Sequence, residues 1–137
     1  MNVKPGDEIP PWTMEYVDPA RMRTMAAILR DPYSVHWDAA GNAALGLPGR
    51  VVNQGPLNLG YLVNMLHAWA GPACVRRLTV SFGRPVLDGE SVMARGRVTS
   101  VEAINGELRA TCEVWLQLQD EEVVSGSAVV AISEPKE

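Results

Sequence analysis

The stretch Pro56 to Ala70, PLNLGYLVNMLHAWA, decides the fold. Leu57, Tyr61, Leu62, Met65, Leu66 and Trp69 recur at helical spacings, and nearly every side of the helix they define is apolar. A helix without a polar face is a buried one. Gln54-Gly55-Pro56 opens it, and Gly71-Pro72 closes it with the glycine-then-proline signal of a helix end. The rest of the chain has to wrap it.

Downstream, from Ala73, the apolar period falls from 3.6 to 2. Leu78, Val80 and Phe82 alternate with polar neighbours, and Pro85, Asp88 and Gly89 punctuate the turn that follows. Ser91 to Glu102 make the next strand. Asn105-Gly106 is the strongest short hairpin signal available, and Leu108, Ala110, Cys112, Val114, Leu116 and Leu118 alternate strictly beyond it. A turn at Asp120-Glu121 leads into a last strand over Val123 to Ile132, and Glu134 to Glu137 read as a frayed tail.

Upstream, residues 1–10 contain Pro5, Gly6 and Pro10 and read as an extended lead-in, with Trp12 to Val17 as a short strand. Asp18-Pro19 starts a helix with a capping oxygen and the residue favoured at the first helical position. Met22, Met25, Ala26 and Leu29 form one apolar stripe on that helix, and Pro32 stops it. Asp38 to Ala44 give a further helical turn capped by Asp38 before Gly46, Pro48 and Gly49 break the pattern. One strongly twisted antiparallel sheet wrapping a single apolar helix satisfies all of this. The predicted class is α+β, a single domain over residues 1–137. The edge strand left by a half-wrapped sheet predicts pairing with a second subunit.

Composition narrows the function. A hydrophobic fraction of 47% with 20% charged residues argues for a packed core and against disorder. Phosphate binding needs a basic face, so with a net charge of −4 nucleic acid is not an expected partner. Arg76, Arg77, Arg84, Arg95 and Arg97 cluster in the second half and read as solvated outward positions of strands, with an anion-binding role as the alternative. Cys74 and Cys112 fall at apolar-phase positions, and buried free thiols predict a reducing cytoplasm. No run approaches the roughly 20 apolar residues of a membrane span, and the N-terminus has no signal-peptide core, so no membrane association is predicted. No nucleotide-binding glycine loop is present, so no redox cofactor is expected.

Candidate chemistry gathers between the two helices. Asp31 and His36 are separated by four residues in a segment that Pro32 and Tyr33 keep from regular helix, and a loop of this kind can aim both side chains into one cleft. Gly55 at the start of the buried helix offers a backbone N–H for a carbonyl oxygen or oxyanion. Asn58, one turn in, is placed to reach the same cleft. Asp38 reads as a helix cap, and His67 as a hydrogen-bonded core histidine. Asp31, His36 and Asp38 lack the further ligands that a metal centre needs, so none is expected.

These residues carry a family resemblance. Asp31-Pro32-Tyr33-Ser34-Val35-His36-Trp37-Asp38 is similar to the aspartate, four residues, histidine, one residue, aspartate motif of the MaoC-like hydratase family, which includes (R)-specific enoyl-CoA hydratases, and Gln54-Gly55-Pro56 stands where that family has histidine-glycine. The likeness spans almost the whole chain and implies the hot-dog fold, an antiparallel sheet around a long central helix. It implies that Asp31 and His36 are a catalytic dyad, with Gly55, Gln54, Asn58 and Tyr61 as substrate-binding residues. It further implies an acyl-CoA substrate lying along Leu59, Tyr61, Leu62 and Met65, and a homodimer or a heteromer with another hot-dog subunit. Arg30 stands where the family has glycine, Tyr33-Ser34 where it has asparagine-proline, and no serine stands near Leu62 and Val63 to support the aspartate. These departures resemble a branch acting in steroid side-chain degradation. A catalytically silent subunit and a thioesterase of the same fold are the alternative readings.

Overall fold

In a computed structural model, which describes residues 1–31, 33–46 and 49–133, the chain runs as strand β1 (Glu8–Met14), helix α1 (Pro19–Leu29), a 3₁₀ turn (Ser34–His36), helix α2 (Ala39–Ala44), helix α3 (Gly55–Ala70) and strands β2 (Val75–Phe82), β3 (Val92–Ile104), β4 (Glu107–Leu118) and β5 (Glu121–Ala131). The strands form one antiparallel sheet in the order β1-β3-β4-β5-β2. α3 packs against every strand, and the sheet curls around it as the hot-dog fold requires. Leu62, Met65 and Leu66 meet Ala94, Val98, Ala110, Cys112, Val114 and Leu116 in the core.

Local signals place most elements. Asp18 caps α1, its side chain accepting the Ala20 N–H at 2.9 Å, and Asp38 caps α2 through the Gly41 N–H at 2.9 Å. Asn105 and Gly106 both take positive φ, 53° and 74°, the turn geometry that matches the twist of the β3–β4 hairpin. Cys74 and Cys112 are buried free thiols, and burial pushes the Cys112 thiol up to about 11.

Four expectations are corrected. The first strand runs from Glu8 rather than Trp12 because Glu8 and Ile9 pair with Arg97 and Gly96 of β3; the expected lead-in is already sheet. α3 is fully buried only along Asn58, Tyr61, Leu62, Met65 and Leu66, while Leu59 and Val63 are half-buried and Asn64 and Ala68 exposed, since one curled sheet covers one side. α1 ends at Arg30, whose φ of 52° turns the backbone left-handed so that its N–H reaches the Ala26 and Ala27 carbonyls; the stop assigned to Pro32 and the frayed tail at 134–137 lie outside the described residues. His67 is half-buried, and its ring has no hydrogen-bond partner among the described residues. Several arginines are outward as expected but paired: Arg76 and Arg109 grip Glu107, Arg97 meets Glu113, and Arg84 reaches Glu90 and Glu121.

Candidate active site

The site rests on a backbone platform, residues 51–54, between the 3₁₀ turn and the 86–88 segment. Asn53 N–H donates to the Val86 carbonyl at 2.7 Å, Asp88 N–H to the Val51 carbonyl at 3.0 Å, and Val52 N–H to the Val35 carbonyl at 2.8 Å. Buried Asn42 stitches the turn from the other side, giving its two Nδ2 hydrogens to the Val35 and Arg50 carbonyls, both at 2.9 Å. His36 is thus held on a turn fixed from two directions.

Its tautomer follows. Nδ1 of His36 lies 2.7 Å from the Val52 carbonyl, and because a carbonyl oxygen only accepts, Nδ1 carries the proton in the neutral ring. Nε2 then holds a bare lone pair, and it faces Asp31 Oδ2 at 3.8 Å. The other Asp31 oxygen accepts the Tyr33 N–H at 3.1 Å, a local turn bond that aims the carboxylate. A gap of 3.8 Å is too long for a direct hydrogen bond and suits a water held by both groups. The His36 side chain is 12% exposed and that of Asp31 40%.

A cavity of about 260 Å³ opens beside this pair, lined by His36, Gly55, Asn53, Asn58, Phe82 and Arg84 among others. The Gly55 N–H stands at the first position of α3 with no acceptor among the described residues. Pro56 has no N–H, and the Leu57 and Asn58 N–H groups turn back to the Gln54 carbonyl at 3.0 and 3.2 Å. One backbone donor is left for the cavity. A Cβ at position 55 would come 3.2 Å from Phe82 Cζ, so glycine also keeps the approach open.

Of the sequence-predicted residues, His36, Gly55 and Asn58 line this cavity, and Asp31 stands beside His36 without lining it. Gln54 is turned away: it is 1% exposed and donates Nε2 to the Met22 carbonyl at 2.7 Å, tying α3 to α1. Tyr61 is also buried, its ring stacked on Trp12 with centroids 5.7 Å apart, and burial raises its hydroxyl pKa against the opposing pull of the Asn53 bond. Leu62 and Met65 are sealed in the core. The apolar wall offered to an acyl group is instead Val35, Val52, Phe82, Pro85 and Val123. Asn53 went unread in the sequence. It is 3% exposed, lines the cavity, and donates Nδ2 to Asn58 Oδ1 at 2.7 Å and to Tyr61 Oη at 3.2 Å. Asn42 Oδ1, Asn53 Oδ1 and Gln54 Oε1 are buried without a partner among the described residues. No group of three or more metal-ligating side chains occurs among the described residues.

The same fold occurs in solved structures of low sequence identity. An (R)-hydratase from A. caviae involved in PHA biosynthesis aligns at TM-score 0.83 and 24% identity over 96% of this chain and 98% of its own. The R-hydratase PhaJ1 from Pseudomonas aeruginosa aligns at 0.79 and 22% over 96% and 84%. The ChsH1-ChsH2 complex from Mycobacterium tuberculosis gives 0.78 and 23% over 97% and 100%. Among curated proteins none matches the sequence. The profile of the MaoC like domain matches residues 3–115, which contain the 3₁₀ turn, the platform and the whole of α3. A match over most of the chain, joined to the shared fold, carries the conclusion that this chain belongs to the MaoC-like domain family.

Proposed function

We propose that the protein hydrates a trans-2-enoyl-CoA thioester to the (R)-3-hydroxyacyl thioester, or runs the reverse dehydration. The observation that carries this reading is the bare Nε2 of His36 facing Asp31 beside a cavity that the Gly55 N–H also borders. With the thioester carbonyl on the Gly55 N–H, a water between Asp31 and His36 lies opposite C3. Its oxygen bonds to C3 while Nε2 takes its proton, and the C2–C3 π electrons move onto the thioester oxygen. Asp31 stabilises the imidazolium, which returns the proton to C2 as the enolate collapses. The sum is one water added and nothing else consumed. Gln54 and Tyr61, predicted from the sequence to bind substrate, enter this reading as supports of the wall from behind.

A second subunit belongs to the proposal. β2 stands at a sheet edge, and two structures of this fold were solved as complexes, ChsH1-ChsH2 and HadBC of Mycobacterium tuberculosis. A partner hot-dog chain, identical or not, covers such an edge. A cytoplasmic location fits the two free thiols, and no helix of the described residues is long and apolar enough to cross a membrane.

The test is turnover of a panel of trans-2-enoyl-CoA thioesters, followed by loss of the conjugated absorbance. Asp31→Asn and His36→Ala are each expected to lower kcat about 100- to 10,000-fold while melting like wild type. A pure protein inactive on every chain length, alone and with candidate hot-dog partners, refutes the hydratase reading; release of free thiol from the same substrates would point to hydrolysis.

A further inference from the structure

We propose that the Asn58 amide is a second donor to the thioester oxygen beside the Gly55 N–H, and that Asn53 holds it in the donating orientation. The inference rests on the hydratase reading and names two residues for it. Asn58 follows Gly55 by three positions on α3, which puts both on one face of the helix. Helical side chains lean toward the N-terminus. The Asn58 amide therefore leans toward the Gly55 N–H, which has no acceptor among the described residues.

Its orientation is set by its neighbours. Asn58 is 5% exposed and shares the cavity wall with His36 and Gly55. Its Oδ1 is taken by Asn53 Nδ2 at 2.7 Å. A planar amide whose oxygen points at Asn53 turns its NH₂ the other way, and Asn58 Nδ2 has no acceptor among the described residues. Asn53 is itself locked. Its backbone N–H is bound to the Val86 carbonyl, its second Nδ2 hydrogen goes to Tyr61 Oη, and Tyr61 is stacked on Trp12. With both hydrogens committed, Asn53 presents only a donor to Asn58, and Asn58 presents only a donor to the cavity.

This arrangement makes an unusual variant informative. A carboxylate at position 53 can only accept, so in Asn53→Asp the Asn58 amide rotates by half a turn, gives its NH₂ to Asp and shows its oxygen to the substrate. The polarity of the site is inverted by a residue that does not touch the reacting oxygen.

The experiment is steady-state hydration of the best substrate of the panel by wild type, Asn58→Leu, Asn58→Asp and Asn53→Asp, each checked for native circular dichroism. Both Asn58 variants are expected to lose about 100- to 1,000-fold in kcat, the loss found for a single oxyanion donor in other enzymes, with KM changed less than about threefold. Asn53→Asp should match them. A wild type that turns over, with both Asn58 variants at its kcat, overturns the second donor and leaves the hydratase reading intact. Slow Asn58 variants with a fast, folded Asn53→Asp overturn the role of Asn53 alone. If Asn53→Asp does not fold, the near-isosteric Asn58→Asp still decides the donor, because an acceptor at that place should be no slower than wild type if the amide oxygen were the group in use.

Discussion

At the scale of single residues, the site depends on which atoms are free to act. Gly55 is the sharpest case, since its N–H has no acceptor among the described residues and the nearest atoms to an added Cβ belong to the Phe82 ring. Gly55→Ala should force that ring into the cavity and lower kcat/KM about 10- to 100-fold, the order of loss that a small misplacement of substrate brings, with little change in melting temperature. Adding Phe82→Ala removes the obstruction, so the double variant should recover much of the loss; equal losses with and without Phe82 would show that the ring is not the cause. That Asp31 and His36 stand together, and that Gly55 opens the buried helix, was legible in the sequence because their spacing and the glycine-proline helix start are local signals. The hydrogen bonds of Asn53, and the inward turn of Gln54 that was expected to face substrate, were not. Asn53 earns its partners only once α3 turns Asn58 and Tyr61 over it, and Gln54 bonds a carbonyl 32 residues earlier in the chain, a pairing that no local pattern encodes.

Among the elements, those defined by caps and turns were readable, and those defined by distant pairing had shifted ends. Asp18, Asp38 and Asn105-Gly106 fixed their boundaries through bonds within a few residues. β1 took its start from β3, more than eighty residues away in the chain, and the half-open side of α3 follows from the curl of a sheet whose depth of wrapping a helical wheel does not contain. That curl has a tight point at Gly126 of β5, where an added Cβ would run into the Thr79 carbonyl of β2 and lie 2.8 Å from Val80 Cα. Backbone cannot swing aside as a side chain does. Gly126→Ala is therefore expected to destabilise by about 1–3 kcal/mol, read as a lower urea midpoint at unchanged slope. A variant as stable as wild type would mean that β2 and β5 separate there at no cost.

For the whole molecule, acid–base behaviour reports on the core. Cys112 sits at the centre of β4 with no exposed surface, and its thiol is raised from 9.0 to about 11 by burial. The folded state thus favours the neutral thiol. This contribution is complete below the unfolded pKa and is lost as pH rises from about 9 through 11, amounting to about 2 kcal/mol near pH 10.5. Urea midpoints at pH 8 and pH 10.5 should fall further for wild type than for Cys112→Ala, and a thiol reagent at pH 8 should label neither cysteine until the chain unfolds. Equal falls in the two proteins would count against the burial of that thiol. Fold class and the helix at the centre were legible at this scale because one apolar helix leaves a chain of this length few ways to cover it, while the order of strands in the sheet was not, since it is set by pairing between distant segments.

The buried oxygens of Asn42, Asn53 and Gln54, the three without a partner among the described residues, all belong to the 51–54 platform or to the asparagine that braces it. Each such atom typically costs about 1–3 kcal/mol. Selection for heat resistance alone would accordingly find its easiest gains in replacing these amides with apolar residues, and would yield hardier proteins with a remodelled candidate site.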